Sequence, residues 1–185
     1  MALTESNMLP LGTKAPDFQL PDTISDQMVS LADVSSPVAT VIMFLCNHCP
    51  YVIHVNEGIK RVVQDYKSRG VNFVGISSND VVNYPQDGPD KMKVHAAEVG
   101  YDFPYLYDES QEVARSYDAA CTPDFYLFDQ NMALVYRGQL DGSRPNSGIP
   151  VTGEDLRMAL ETVLAGGTVS EQQRPSAGCN IKWKR

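Results

Sequence analysis

Apolar residues run almost unbroken from Val38 to Leu45 and then stop at Cys46. A run of this length, rich in β-branched residues and free of charge, predicts a central strand buried on both faces. From Pro50 to Arg69 the period changes. Val52, Val55, Ile59, Val62, Val63 and Tyr66 recur at helical spacing, and Gly70 supplies a C-terminal stop. Strand and helix together predict a first βα unit.

The same punctuation by Gly and Pro cuts the rest of the chain. Leu11 to Leu31 reads as an irregular lead-in with a hairpin, and Val71 to Ile76 as the next strand. Ser77 to Pro89 is a polar loop, followed by a helix over Pro89 to Val99. A short strand at Tyr105–Tyr107 and a short helix over Gln111–Tyr117 come next. Strands at Phe125–Phe128 and Leu134–Arg137 flank Asp129, Gln130 and Asn131, which predicts an antiparallel hairpin. The loop Asp141–Gly153 leads to a last helix, Glu154–Leu164, and the remaining tail shows no clear period. Alternating strands and helices predict one α/β domain over 1–185, with its core at about 11–165 and a tail at 166–185.

Composition narrows the partners. Fifteen basic and twenty-three acidic residues give a net charge of −8, which disfavours nucleic acid and anionic membrane as ligands. No apolar stretch reaches the roughly 18 residues of a membrane span. The N-terminus lacks the basic start and apolar centre of a signal peptide, so a cytoplasmic location is expected. Four cysteines in 185 residues are too sparse for a disulfide scaffold. Their close pairing at Cys46 and Cys49 points instead to redox or metal chemistry. A thiol delivered by a strand to a helix N-terminus meets unpaired amides and the positive end of the helix dipole, which favour thiolate. That chemistry needs a sulfur open to solvent and more acidic than free cysteine.

Three segments carry a family resemblance: Ala15-Pro16-Asp17-Phe18, the apolar strand before Cys46-Asn47-His48-Cys49, and Cys121-Thr122-Pro123-Asp124-Phe125. In this order the chain resembles the thioredoxin-like superfamily, in its alkyl hydroperoxide reductase/thiol-specific antioxidant, TlpA-like branch, over roughly Leu11 to Ala165. The resemblance implies a central mixed sheet flanked by helices, with an N-terminal hairpin extension. It also implies a cis Pro123 facing the cysteine pair, at a turn whose backbone edge a substrate disulfide chain can join. Disulfides of proteins or small molecules are the implied partners, with no cofactor, and oligomeric state is left open.

The roles within the pair depend on register. In the resembled proteins the nucleophile follows a strand aromatic by five positions, and five from Phe44 is Cys49. Proline is favoured at the first helical position, so Pro50 makes Cys49 the N-cap. Cys49-Pro50-Tyr51-Val52 then resembles the glutaredoxin Cys-Pro-Tyr-Cys motif, with valine in place of the last cysteine. Cys49 is therefore the favoured attacking thiol and Cys46 the resolver; the conventional register reverses them. His48 can stabilise a thiolate, relay its proton, or face solvent as an ordinary loop residue. His54 and His95 read as helix-surface residues.

Cys121 approaches the pair if the proline loop packs against it. Cys179 lies in a tail whose Ile181 and Trp183 alternate with basic residues and can dock as an extended segment. Both read first as packing or anchoring residues, with a redox role as the alternative. Two other functions stand beside the oxidoreductase reading. A peroxidase would need a hydroxyl residue three before its cysteine and a distant arginine. Here those positions hold Cys46 or Met43, and Thr122-Pro123 occupies the arginine's region. A metal site would use Cys46, His48 and Cys49, with Cys121 or Cys179 as fourth ligand.

Overall fold

The computed structural model describes residues 3–185. In chain order the strands are β1 (Leu3–Glu5), β2 (Gln19–Pro21), β3 (Met28–Ser30), β4 (Ala39–Phe44), β5 (Val71–Ser77), β6 (Tyr105–Tyr107), β7 (Cys121–Thr122), β8 (Asp124–Phe128), β9 (Leu134–Gly138) and β10 (Ala177–Asn180). The α-helices are α1 (Leu31–Val34), α2 (Pro50–Lys67), α3 (Pro89–Val99), α4 (Glu112–Ser116) and α5 (Glu154–Leu164). The central sheet has the order β6-β5-β4-β8-β9. β4 runs parallel to β5 and antiparallel to β8, and β8 and β9 form the predicted hairpin. β2 and β3 form the hairpin expected in the lead-in.

The apolar run is unbroken because β4 is covered on both sides. Successive residues of a strand point to opposite faces. Val41, Met43 and Leu45 accordingly pack with Val52, Val55, Ile59 and Val62 of α2 and with Leu156 and Leu160 of α5. Ile42 and Phe44 enter the other layer with Val74, Ile76, Leu106, Tyr117, Tyr126 and Phe128. Burial of each such side chain contributes about 1.5–3 kcal/mol. Helix α2 starts at Pro50 and ends before Gly70, whose φ of 89° lies in the left-handed region that glycine tolerates.

A second sheet gives the tail, which showed no clear period but was expected to be able to dock as an extended segment, its place in the fold. It is antiparallel, in the order β1-β10-β7, and inserts the C-terminal strand between the N-terminal strand and the loop that leads into β8. Leu3 pairs with Cys179, and Cys179 in turn pairs with Thr122. Side chains reinforce this sheet. Ser6 Oγ donates to Asp124 at 2.8 Å, the Ser176 amide donates to Ser6 Oγ at 2.8 Å, and Ser176 Oγ donates to the Pro123 carbonyl. Beyond β10, Ile181 is buried in the second layer, and the Arg115 guanidinium stacks 4.4 Å from the centre of the Trp183 ring.

Candidate active site

Strand β4 ends one turn short of α2, and that turn carries Cys46, Asn47, His48 and Cys49. Cys49 is the N-cap of α2, with extended backbone angles (φ −71°, ψ 122°), and Pro50 is the first helical residue. The Cys49 carbonyl accepts from the amides of Val52 and Ile53, each at 3.0 Å. Its sulfur makes no capping hydrogen bond, so the amides of the first turn act on it electrostatically. Opposite stands the Thr122–Pro123 peptide bond, which is cis. Cys46 Sγ lies 3.4 Å from Thr122 Oγ1, and Cys49 Sγ lies 3.4 Å from the Thr122 carbonyl oxygen.

A third sulfur completes the group. β10 sets Cys179 Sγ 2.7 Å from Cys49 Sγ. Cys49 thus sits between Cys46 and Cys179, and both neighbours act on its ionisation. The neighbouring Cys46 thiol is the largest influence. Burial opposes it, and the Cys179 thiol and the Val52 amide act with it, so that the Cys49 thiol falls to about 5. Cys46 moves well above the ordinary thiol range, because its proton is engaged by Cys49 and its site is buried. Burial and the bond to Cys49 push Cys179 up to about 12. These surroundings therefore favour ionisation at Cys49 over Cys46 and Cys179.

Cys121 faces away from this group. Thr122 turns its side chain toward Cys46, so its neighbour on β7 points to the opposite face, level with Asn180. There the Cys121 thiol donates to the Pro123 carbonyl at 3.9 Å, and burial raises its pKa. His48 does not hydrogen-bond either neighbouring sulfur. Its Nδ1 lies 2.5 Å from Asp87 Oδ2, off the hydrogen-bond direction, and its ring stacks on Tyr84. Asp87 is fully buried and also accepts from the Asn47 amide and the Asn79 side chain, both at 2.8 Å. It comes from the polar loop between β5 and α3, where no pattern in the sequence marked it. Ligand atoms of Cys46, His48 and Asp87 lie within 4.8 Å of one another. They form a different set from the Cys/His group expected for a metal.

Solvent access is the point on which the sequence expectation fails. Cys49 is 0% exposed, Cys46 1% and Cys179 3%. The cause is β10, which pairs with β7 along the edge beside Pro123 that was expected to receive a substrate chain. Gly178 permits this approach, since a Cβ there would collide with the Thr122 carbonyl oxygen. With β10 in this place the three sulfurs are covered from solvent.

Comparison with known proteins settles the lineage. Residues 11–137 match the sequence profile of the AhpC/TSA family. The chain belongs to that family. A Mycobacterium tuberculosis protein bearing the name "Putative peroxiredoxin" is 30% identical over 117 residues, which span 63% of this AhpC/TSA chain and 69% of that protein. The crystal structure of an uncharacterized conserved protein from Geobacillus kaustophilus is 60% identical, with a TM-score of 0.98, over 100% of this chain and 97% of that one. The thioredoxin domain of a thiol-disulfide oxidoreductase from Bacteroides vulgatus superposes with a TM-score of 0.61 at 19% identity, over 71% of this chain and 89% of that one. This AhpC/TSA protein accordingly has a thioredoxin-like fold, a central mixed sheet flanked by helices. Its family supports thiol redox chemistry of the oxidoreductase or peroxiredoxin type. Among the described residues, no helix is long and apolar enough to cross a membrane.

Proposed function

We propose that this AhpC/TSA protein is a thiol–disulfide oxidoreductase acting on disulfides of proteins or small molecules. One observation carries the reading. Cys49 caps the N-terminus of α2 opposite cis-Pro123 with neighbouring thiols against it, a setting that lowers its pKa. With β10 displaced, the Cys49 thiolate attacks one sulfur of the substrate disulfide. A Cys49–substrate bond forms and the first substrate thiolate leaves. Cys46 then gives up its proton and attacks Cys49 Sγ, closing a Cys46–Cys49 disulfide and releasing the second thiolate. Two electrons pass to the substrate, and both released thiolates take up protons. A reduced dithiol returns the protein to its starting state.

Peroxide reduction is the weaker reading. A hydroperoxide needs donors aimed at its oxygens, and the hydroxyl near these sulfurs, that of Thr122, lies beside Cys46 rather than Cys49. The test measures turnover of an insulin-type disulfide and of hydrogen peroxide by the parent, Cys49→Ser and Cys46→Ser. Disulfide reduction is expected to exceed peroxide reduction, to vanish in Cys49→Ser, and to stall at a mixed disulfide in Cys46→Ser. Parent rates in both single variants would overturn the proposal.

A further inference from the structure

Cys179 is held against Cys49 by more than chance proximity. Its strand is clamped on both edges, by β1 and by β7, and its backbone is level with Thr122, the residue before cis-Pro123. It therefore occupies the edge where the proposed substrate chain would lie, and it presents a thiol to Cys49 at 2.7 Å, as that substrate would present a sulfur. Glycine at 178 is what allows so close a seat against the Thr122 carbonyl. The chain carries, in effect, a tethered stand-in for its own substrate.

We infer that Cys179 is a third redox thiol, which takes over the bridge on Cys49 once substrate has left and closes the site as a Cys49–Cys179 disulfide. The inference rests on the oxidoreductase reading and adds one step to it. After Cys46 has expelled the substrate, β10 returns to the edge beside Pro123. The Cys179 sulfur attacks Cys49 Sγ; the Cys46–Cys49 bond breaks and a Cys49–Cys179 bond forms. The proton lost by Cys179 ends on the Cys46 sulfur. One disulfide replaces another, so the step is redox-neutral and needs no further oxidant. Strand and substrate claim the same edge, so Cys179 cannot act while a substrate chain is seated. This is why Cys46 is still needed to release it.

The experiment oxidises the reduced full-length protein with the diazene diamide, blocks free thiols, digests it without reduction and maps the linked peptides by mass spectrometry. In the parent the dominant link is expected to join Cys49 to Cys179, and Cys46→Ser should form the same link. Cys179→Ala should form the Cys46–Cys49 link instead. Gly178→Ala keeps every thiol but wedges β10 away from Thr122. It is expected to shift the parent's link toward Cys46–Cys49 and to speed alkylation of Cys49 at least tenfold. A parent that carries only the Cys46–Cys49 link overturns the role of Cys179 while leaving the oxidoreductase reading intact. Links that omit Cys49 altogether overturn both.

Discussion

Replacing Cys46 by alanine tests the origin of the Cys49 anion. The Cys46 thiol is the largest of the influences that lower Cys49 to about 5. A hydrogen bond to a charged group contributes about 1.5–3 kcal/mol. One pKa unit corresponds to about 1.4 kcal/mol. Loss of this donor should therefore raise Cys49 by about 1–2 units. The difference is largest near pH 6. There the parent should be about nine-tenths thiolate and the variant roughly one-tenth to one-half. Thiolate absorbs near 240 nm and thiol does not, so a pH titration of the reduced proteins reads the fraction directly, without a reagent having to reach a buried sulfur. Cys46, Cys121 and Cys179 are all shifted upward and stay silent in this range. Cys49→Ser supplies the blank. A parent without a transition below pH 7, or one that Cys49→Ser retains, would refute the assignment of the anion. An unchanged midpoint in Cys46→Ala would refute its cause.

Asp124 predicts a pH dependence of a different kind. Burial raises its carboxyl to about 7, against bonds from Ser6, Tyr126 and the Phe125 amide that favour the charged form. The folded state therefore binds this proton more tightly than the unfolded chain, and the contribution is lost as pH rises from about 4 to 7. Urea midpoints should show the parent losing stability relative to Asp124→Asn across that window, by roughly 4 kcal/mol at most. A pH-independent difference would contradict the reading. For the metal alternative, the protein purified without chelator should contain no stoichiometric zinc by elemental analysis, and its thiol titre should not change when chelator is added. A zinc content near one per chain would turn attention to Cys46, His48 and Asp87.

Legibility in the sequence followed the range of the forces involved. β4 and α2 were readable because each is specified locally: one by a run that fills two faces, the other by helical spacing between Pro50 and Gly70. Helices α3 and α5 lie within the predicted boundaries for the same reason. The sheet β1-β10-β7 was not readable. Its strands are two to four residues long, β10 contains Gly178 and Asn180, and its pairings join the chain's two ends. At the site, the N-cap position of Cys49 followed from Pro50. The orientation of His48 depends on Asp87, buried from a loop without periodicity. The burial of the sulfurs reversed the expectation of an open site: alternation at Ile181 and Trp183 suggested an extended tail able to dock, but the edge it takes beside Thr122 is set by long-range pairing.

The account stands on Cys49 being the sulfur that attacks. Its most direct test is intact-mass and peptide mapping of Cys46→Ser after exposure to a protein disulfide and rapid acid quenching. The account predicts a covalent adduct linked through Cys49 and none in the Cys46→Ser, Cys49→Ser double variant. An adduct carried by another cysteine, or no adduct while substrate is still being reduced, would contradict it.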